Sequence, residues 1–287
     1  MKKNIFSFRL LEEAFIRIVM ILSFLIIAAS LGAILLTIIT KGLPALSWEM
    51  ISNVPQGGYY LGKKGGILNA IIGSLYLAGG GTLLAVLLSF PIVFGINTYA
   101  KGTKWQHITR LSLDVMWGIP SIVYGSFGFI IMLALGMKAS LLAGIIVLAL
   151  LELPIIVRTI DETLRNIPKE LEEASYALGA NRLETALKVI TRQILPTFAT
   201  AALLAFGRGI GDAASVLFTA GYSDRIPTSL TSQTASLPLA VFFQLGTPYP
   251  EVQQRAYASA LILTIIVLLI SLLSRWLSAY LGRYSIK

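Results

Sequence analysis

Residues 168–196 read PKELEEASYALGANRLETALKVITRQILP. Long apolar runs flank the stretch, yet it is patterned like part of a water-soluble protein. Leu171, Ala174, Ser175 and Leu178 recur at i, i+3, i+4 and i+7, one narrow stripe on a helix. Pro168 fits a first helical position and Gly179 fits a C-terminal stop. Asn181, with Glu184 three residues later, has the spacing of a capping box, Asn standing in for Ser or Thr. A second helix can therefore begin at once, and Leu183, Ala186, Leu187 and Ile190 repeat the stripe. The reading is a short helix, a glycine turn and a second amphipathic helix between two membrane spans. Such a hairpin has an apolar face and no bilayer in which to bury it. A soluble partner with a groove for a helix would cover that face. A helix lying on the bilayer surface is the alternative, but it has no need of a glycine-punctuated pair.

Composition supports the membrane setting. The chain has 287 residues, 56% hydrophobic and 13% charged, where soluble domains are about a quarter charged. It is read as an all-α integral membrane protein. With no cysteine, disulfides, thiolate metal sites and cysteine nucleophiles are excluded. The single histidine, His107, leaves no histidine pair for a metal or a proton relay.

Six spans are expected. The first covers about 14–40, longer than the ~20 residues a bilayer needs. It is too long for a signal-peptide core and has no small-residue cleavage site after it, so it is read as uncleaved. Residues 41–64 are polar, with Trp48, Tyr59 and Tyr60 suited to an interface. The second span lies in 65–99 and holds Gly79, Gly80 and Gly81, where backbones could approach or the helix bend. The third, 111–135, is interrupted by Gly118-Ile119-Pro120-Ser121. The fourth, 140–160, contains Pro154. The fifth is read as 197–222 and the sixth as 256–277, with an apolar piece at 237–245 too short to cross. This divides the chain into an N-terminal segment 1–13, a six-helix transmembrane domain 14–283 with a loop at 161–194, and a tail 284–287. With the N-terminus inside, sixteen Lys and Arg fall on the cytoplasmic side and six outside. That bias places both termini and the hairpin in the cytoplasm. The net charge of +9 is thereby assigned to orientation and lipid contact, with no basic domain for nucleic acid.

Asp114, Glu152, Arg208 and Asp212 are the ionisable residues within or at the edge of spans. On an unbroken fifth helix, Arg208, Asp212, Ser215 and Thr219 share a face, a polar stripe of roughly 16 Å. Gly207 and Gly211 form an adjacent small face. A mid-membrane arginine costs several kcal/mol unless paired or hydrated, so such charges are candidates for function. The stripe could line a path in which Arg208 offers a planar donor fork to an oxyanion. Asp212 would hold Arg208 or take a bond from a protonated oxyanion, and Glu152 could serve Arg208 as a second partner. A structural ion pair locking the bundle is the other reading.

Glu173-Ala174-Ser175, followed by Gly179 after three residues, resembles the EAA loop of ABC-importer permeases. Leu195-Pro196 lies one turn beyond the usual Leu-Pro position, now Thr191-Arg192. Gly65-Gly66-Ile67-Leu68-Asn69-Ala70-Ile71, Gly118-Ile119-Pro120-Ser121-Ile122-Val123 and Gly207-Arg208-Gly209-Ile210-Gly211-Asp212-Ala213-Ala214 resemble segments of PstA-type phosphate permeases. In the last, Asp212 replaces a glutamate and Ala213 a threonine. The resemblance covers roughly residues 60–280. It implies a type I importer permease fold in which Glu172, Glu173, Ala174, Ser175 and Gly179 dock an ATPase. It further implies a homologous PstC-type permease subunit, a PstB-type ATPase dimer and a PstS-type phosphate-binding protein in the inner membrane system. No GxxxxGK[ST] loop is present, so ATP would be used by the partner and this chain would bind no cofactor and be no enzyme. Molybdate, tungstate or sulfate remain alternative cargoes. A secondary transporter using Glu152 and Asp212 as proton carriers, or an intramembrane enzyme built on carboxylates, belongs to other classes. The first leaves the hairpin without a role, and the second has no residues at motif spacing.

Overall fold

The computed structural model describes residues 2–56 and 65–281, with side chains from residue 12. Tyr59, Tyr60, Lys63, Lys64 and the tail 284–287 lie outside them. Among the described residues the regular elements are helices. Besides one short turn of helix at Trp48–Ser52, they are α1 (Lys2–Ala45), α2 (Leu68–Phe94, widened into a π-helical turn over Gly95–Tyr99), α3 (Lys104–Gly118), α4 (Ser121–Ala134) and α5 (Leu141–Arg165). The hairpin helix α6 (Lys169–Ala177) follows, then α7 (Arg182–Gly211), α8 (Leu237–Leu245) and α9 (Pro250–Leu281).

The core is built on α2, α5 and α7, which pack on one another. Ile156, Val157 and Ile160 of α5 are fully buried against Ala85 and Val93 of α2 and Ala201 and Ala205 of α7. Small residues let these backbones close up. A side chain at Gly80 or Gly81 would run into Ile145 or Leu148 of α5. The triple glycine is thus an approach site in an unbroken helix. On α7 the buried small stripe is Ala201, Ala205 and Gly209, and not the expected Gly207 and Gly211. A β-carbon at Gly211 would meet nothing within 4 Å, and one at Gly207 would make only ordinary contact with Ile270. The helix α1 packs chiefly on α9 and exposes apolar side chains from Phe15 to Leu43.

Among the described residues five helices are long and apolar enough to cross a membrane, and α3 with α4 form one pair, bent by 104°, that makes a sixth span when counted as one. The interruption falls at Ile119-Pro120, where proline cannot continue the helix and biases its predecessor to extended backbone. The pair still runs the length of the bundle. Arg110 of α3 binds Asp161 near the end of α5, whereas beyond α4 the amides of Leu141 and Leu142, at the start of α5, bond the carbonyls of Ser232 and Leu230. Asp161 and Leu141 are about 30 Å apart along α5.

Two span boundaries differ from expectation. The second hairpin helix is no separate element: residues 182–211 form one unbroken helical run of 30 residues, α-helical apart from a π-helical stretch over Thr185–Ile190. It stops at Gly211 and not near residue 222. Glycine at 207, 209 and 211 weakens the helix, and the short Asp212 side chain captures a backbone amide beyond it.

Candidate functional site

Asp212 is the residue on which the expected stripe fails. Its backbone is extended (φ −85°, ψ 118°), and its Oδ1 accepts the amide of Ser215 at 2.8 Å. Ser215 and Thr219 therefore sit in a turn-rich segment and not on the face of Arg208. Both are fully buried. The segment is packed into the bundle: the carbonyls of Ala214 and Ser215 fill the space beside Gly125 of α4. Its backbone is satisfied by protein, as irregular chain at membrane depth must be. Ser140 donates to the Thr219 carbonyl at 2.8 Å and Thr234 to that of Ala220 at 3.0 Å.

Arg208 is exposed at the end of α7. It forms no ion pair with Asp212, and among the described residues its guanidinium has no partner. Glu152 does not serve it either. Glu152 is fully buried at the twelfth of 25 positions in α5, close to mid-bundle. Its Oε2 accepts from Thr82 of α2 at 2.7 Å. Its Oε1 has no hydrogen-bond partner and lies against Gly209, in the place a β-carbon would take. The structure thus joins Glu152 to α2 and α7 and leaves Arg208 facing outward. Asp114 pairs with Arg158 at 2.9 Å.

At the hairpin the local reading holds closely. Pro168 precedes the first turn of α6 with its own backbone extended. Gly179 has φ +84°, a left-handed conformation that glycine adopts without strain. The amides of Gly179 and Ala180 return to the carbonyls of Tyr176 and Ser175. Both halves of the capping box are made, Glu184 N–H to Asn181 at 2.9 Å and Asn181 N–H to Glu184 at 3.0 Å.

The stripes, however, divide between two faces. Ser175 turns inward, and its hydroxyl meets that of Thr185 at 2.9 Å in a buried contact between the two helices. Ala186 and Ile190 are buried in the bundle core. The outward face carries Glu173, Ala174, Ala177 and Leu178, the last 89% exposed, continued by the exposed Leu183 and Leu187. Glu172 bonds Lys101 at 3.2 Å and faces the bundle.

A buried polar knot that the sequence reading did not single out fixes this end. Asp161, 1% exposed, accepts from Arg110 at 3.0 and 2.9 Å, from Asn97 at 2.9 Å and from Arg165 at 3.0 Å. The Asp161/Arg165 spacing of four was a visible signal; the partners on α2 and α3 were not.

Residues 81–285 match the family model of the binding-protein-dependent transport system inner membrane component. The chain belongs to this family. It is 33% identical over 242 residues to the phosphate transport system permease protein PstA of Haemophilus influenzae, covering 84% of this chain and 85% of that one. It is 36% identical over 210 residues to PstA 1 of Mycobacterium tuberculosis H37Rv, covering 72% and 68%. Among solved structures, an inward-facing MetNI methionine ABC transporter matches with a TM-score of 0.60 at 19% identity, over 75% of this chain and 95% of that one. A bacterial ABC transporter for alginate matches at 0.52 and 13% identity, over 74% and 79%. These structures carry the family's fold, a multi-pass helical permease.

Proposed function

We propose that this chain is the transmembrane permease subunit of an ATP-driven inorganic phosphate importer in the cytoplasmic membrane. A homologous PstC-type subunit completes the path with it. The observation that carries the reading is one helix, α7, with the capped hairpin at its start and the unpaired Arg208 fork near its end. A planar guanidinium suits bidentate binding of phosphate oxygens, and the curated relatives that bear the name of phosphate permeases support the cargo.

On this reading each part has a task. A PstB-type ATPase dimer seats Leu178, Leu183, Leu187 and the Glu173 face in a groove, and ATP is hydrolysed there. A PstS-type binding protein delivers phosphate on the opposite side. The hairpin and both termini are cytoplasmic, as the basic-residue bias directs. Closure of the ATPase dimer moves α6. The Ser175–Thr185 contact and the continuous helix pass that motion to Arg208 and Gly209, and the bundle alternates access. Asp212, engaged with the Ser215 amide, leaves the Arg208 fork open to the anion.

The test is uptake of radiolabelled phosphate into proteoliposomes holding this chain with its partner subunits, with molybdate and sulfate as competitors. ATP-dependent uptake that resists both competitors is expected. Loss of uptake to one competitor would reassign the cargo within oxyanions. Uptake without an ATPase would overturn the role of the hairpin.

A further inference from the structure

Behind the hairpin, on the side turned away from Leu178, lies a cavity of about 640 Å³ bounded by α6, the start of α7, the end of α5 and the 95–110 segment. That is the size of a small-molecule site. Its wall carries Lys101, Arg110, Arg165, Lys169 and Arg182, against the carboxylate of Glu172. Asp161, buried just beneath, is shared by Arg110 and Arg165. Lys101 is taken up by Glu172. Lys169 and Arg182 have no ion pair or hydrogen bond among the described residues. Five cations thus face two carboxylates, a surplus of three charges, and the two cations without an ion pair among the described residues stand on the two limbs of the hairpin.

The spacing on α6 is what makes this a pocket and not a basic surface. Lys169, Glu172 and Tyr176 fall at i, i+3 and i+7 and all line the cavity, while Glu173, Ala177 and Leu178 point the other way. Cations converging on a concave, partly desolvated wall favour an anion with several acceptor oxygens, and arginine favours phosphate geometry.

We infer that this cavity is a binding site for a phosphate group, free or carried on an anionic lipid headgroup, that braces the hairpin against the bundle. The ligand joins Lys169 and Arg182 of the hairpin to Arg165 of α5, so its occupancy restrains the element proposed to move. The site is separate from the path at Arg208 and does not depend on which anion is transported.

The test is equilibrium binding of radiolabelled orthophosphate, without ATP, to the assembled complex in nanodiscs of phosphatidylcholine alone and of phosphatidylcholine with phosphatidylglycerol. Native mass spectrometry reads retained phosphatidylglycerol in parallel. The double variant Lys169→Gln/Arg182→Gln removes exposed, unpaired charges, so its fold should be intact. It should bind the effective probe about tenfold more weakly, while Arg208→Ala leaves that component in place. Orthophosphate binding in phosphatidylcholine alone identifies free phosphate. Phosphatidylglycerol retained by the parent complex and lost from the double variant identifies a headgroup. The proposal fails if the parent binds neither probe, or if the double variant binds both as the parent does. It fails also if the double variant loses the ATPase subunit instead, since the pocket would then receive a partner's side chain. No turnover is needed, so failure of phosphate uptake leaves this result standing.

Discussion

The Oε1 atom of Glu152 fills the space that a side chain at Gly209 would need. The contact joins α5 to the end of α7 at mid-bundle, and the hydrogen bond from Thr82 joins the same carboxyl to α2. Gly209→Ala adds one carbon against this carboxyl. The gain in helix propensity, about 1 kcal/mol, is expected to be outweighed by overpacking of about 1–3 kcal/mol. Thermal denaturation of the purified complex should show a lower Tm. Because Glu152→Ala vacates the space, the two substitutions together should cost less than the sum of the singles. Additive costs would show that the side chains do not meet.

Arg208 has no partner among the described residues, so its removal should separate transport from stability. Arg208→Ala is expected to abolish phosphate uptake while changing the Tm by no more than the ~0.5 kcal/mol equivalent of an ordinary surface change. Size-exclusion chromatography of the complex, run beside the uptake assay, checks both halves. A complex that no longer assembled would point to an ion pair with another subunit.

The hairpin should tolerate little at its turn. Gly179 has φ +84°, and a β-carbon in that region costs roughly 1–2 kcal/mol. Proline cannot reach a positive φ at all. Gly179→Pro is expected to distort the turn, and Glu173→Lys to reverse charge on the outward face. In both variants ATP hydrolysis by the partner should no longer track transport, with the chain still inserted. Coupled turnover at the parent ratio in both would remove the docking assignment.

Asp161→Asn keeps the shape of the polar knot and removes its charge. Arg110, whose side chain is 21% exposed, then keeps weaker bonds in a poorly hydrated place. The expected cost is about 1.5–3 kcal/mol, the range for hydrogen bonds to charged groups. Asp161→Ala should cost more, since it also strands Asn97. Chemical denaturation of the detergent-solubilised chain would rank the two, and equal, negligible costs would mean that the knot is held by solvent.

Much of this architecture is legible in the residues. Asn181 and Glu184 announce a helix start and Gly179 a helix stop, because capping is a local hydrogen-bonding matter decided within a few residues. The break at Ile119-Pro120 is visible for the same reason. The polar stripe was misjudged because apolar periodicity continues past Gly211 while the helix does not. The Asp212 side chain competes for the Ser215 amide, and nearby backbone at Gly125 makes irregular chain affordable there. Likewise, the stripe at Ser175 marks a face without saying what covers it. Ser175 meets Thr185 only once the hairpin closes, and Glu152 meets Gly209 only once α5 and α7 pack.

That α7 runs without a break from Arg182 to Gly211, α-helical beyond its π-helical stretch at Thr185–Ile190, fixes an angular phase between its two ends. Each residue of an α-helix turns the next by about 100°, so the direction in which Leu183 faces determines the direction in which Arg208 faces. Inserting one residue between Ala199 and Ala202 would leave both ends intact yet swing one against the other by about that angle. The chain length of this helix is thus itself a constraint, as strict as the identity of the residues it aligns.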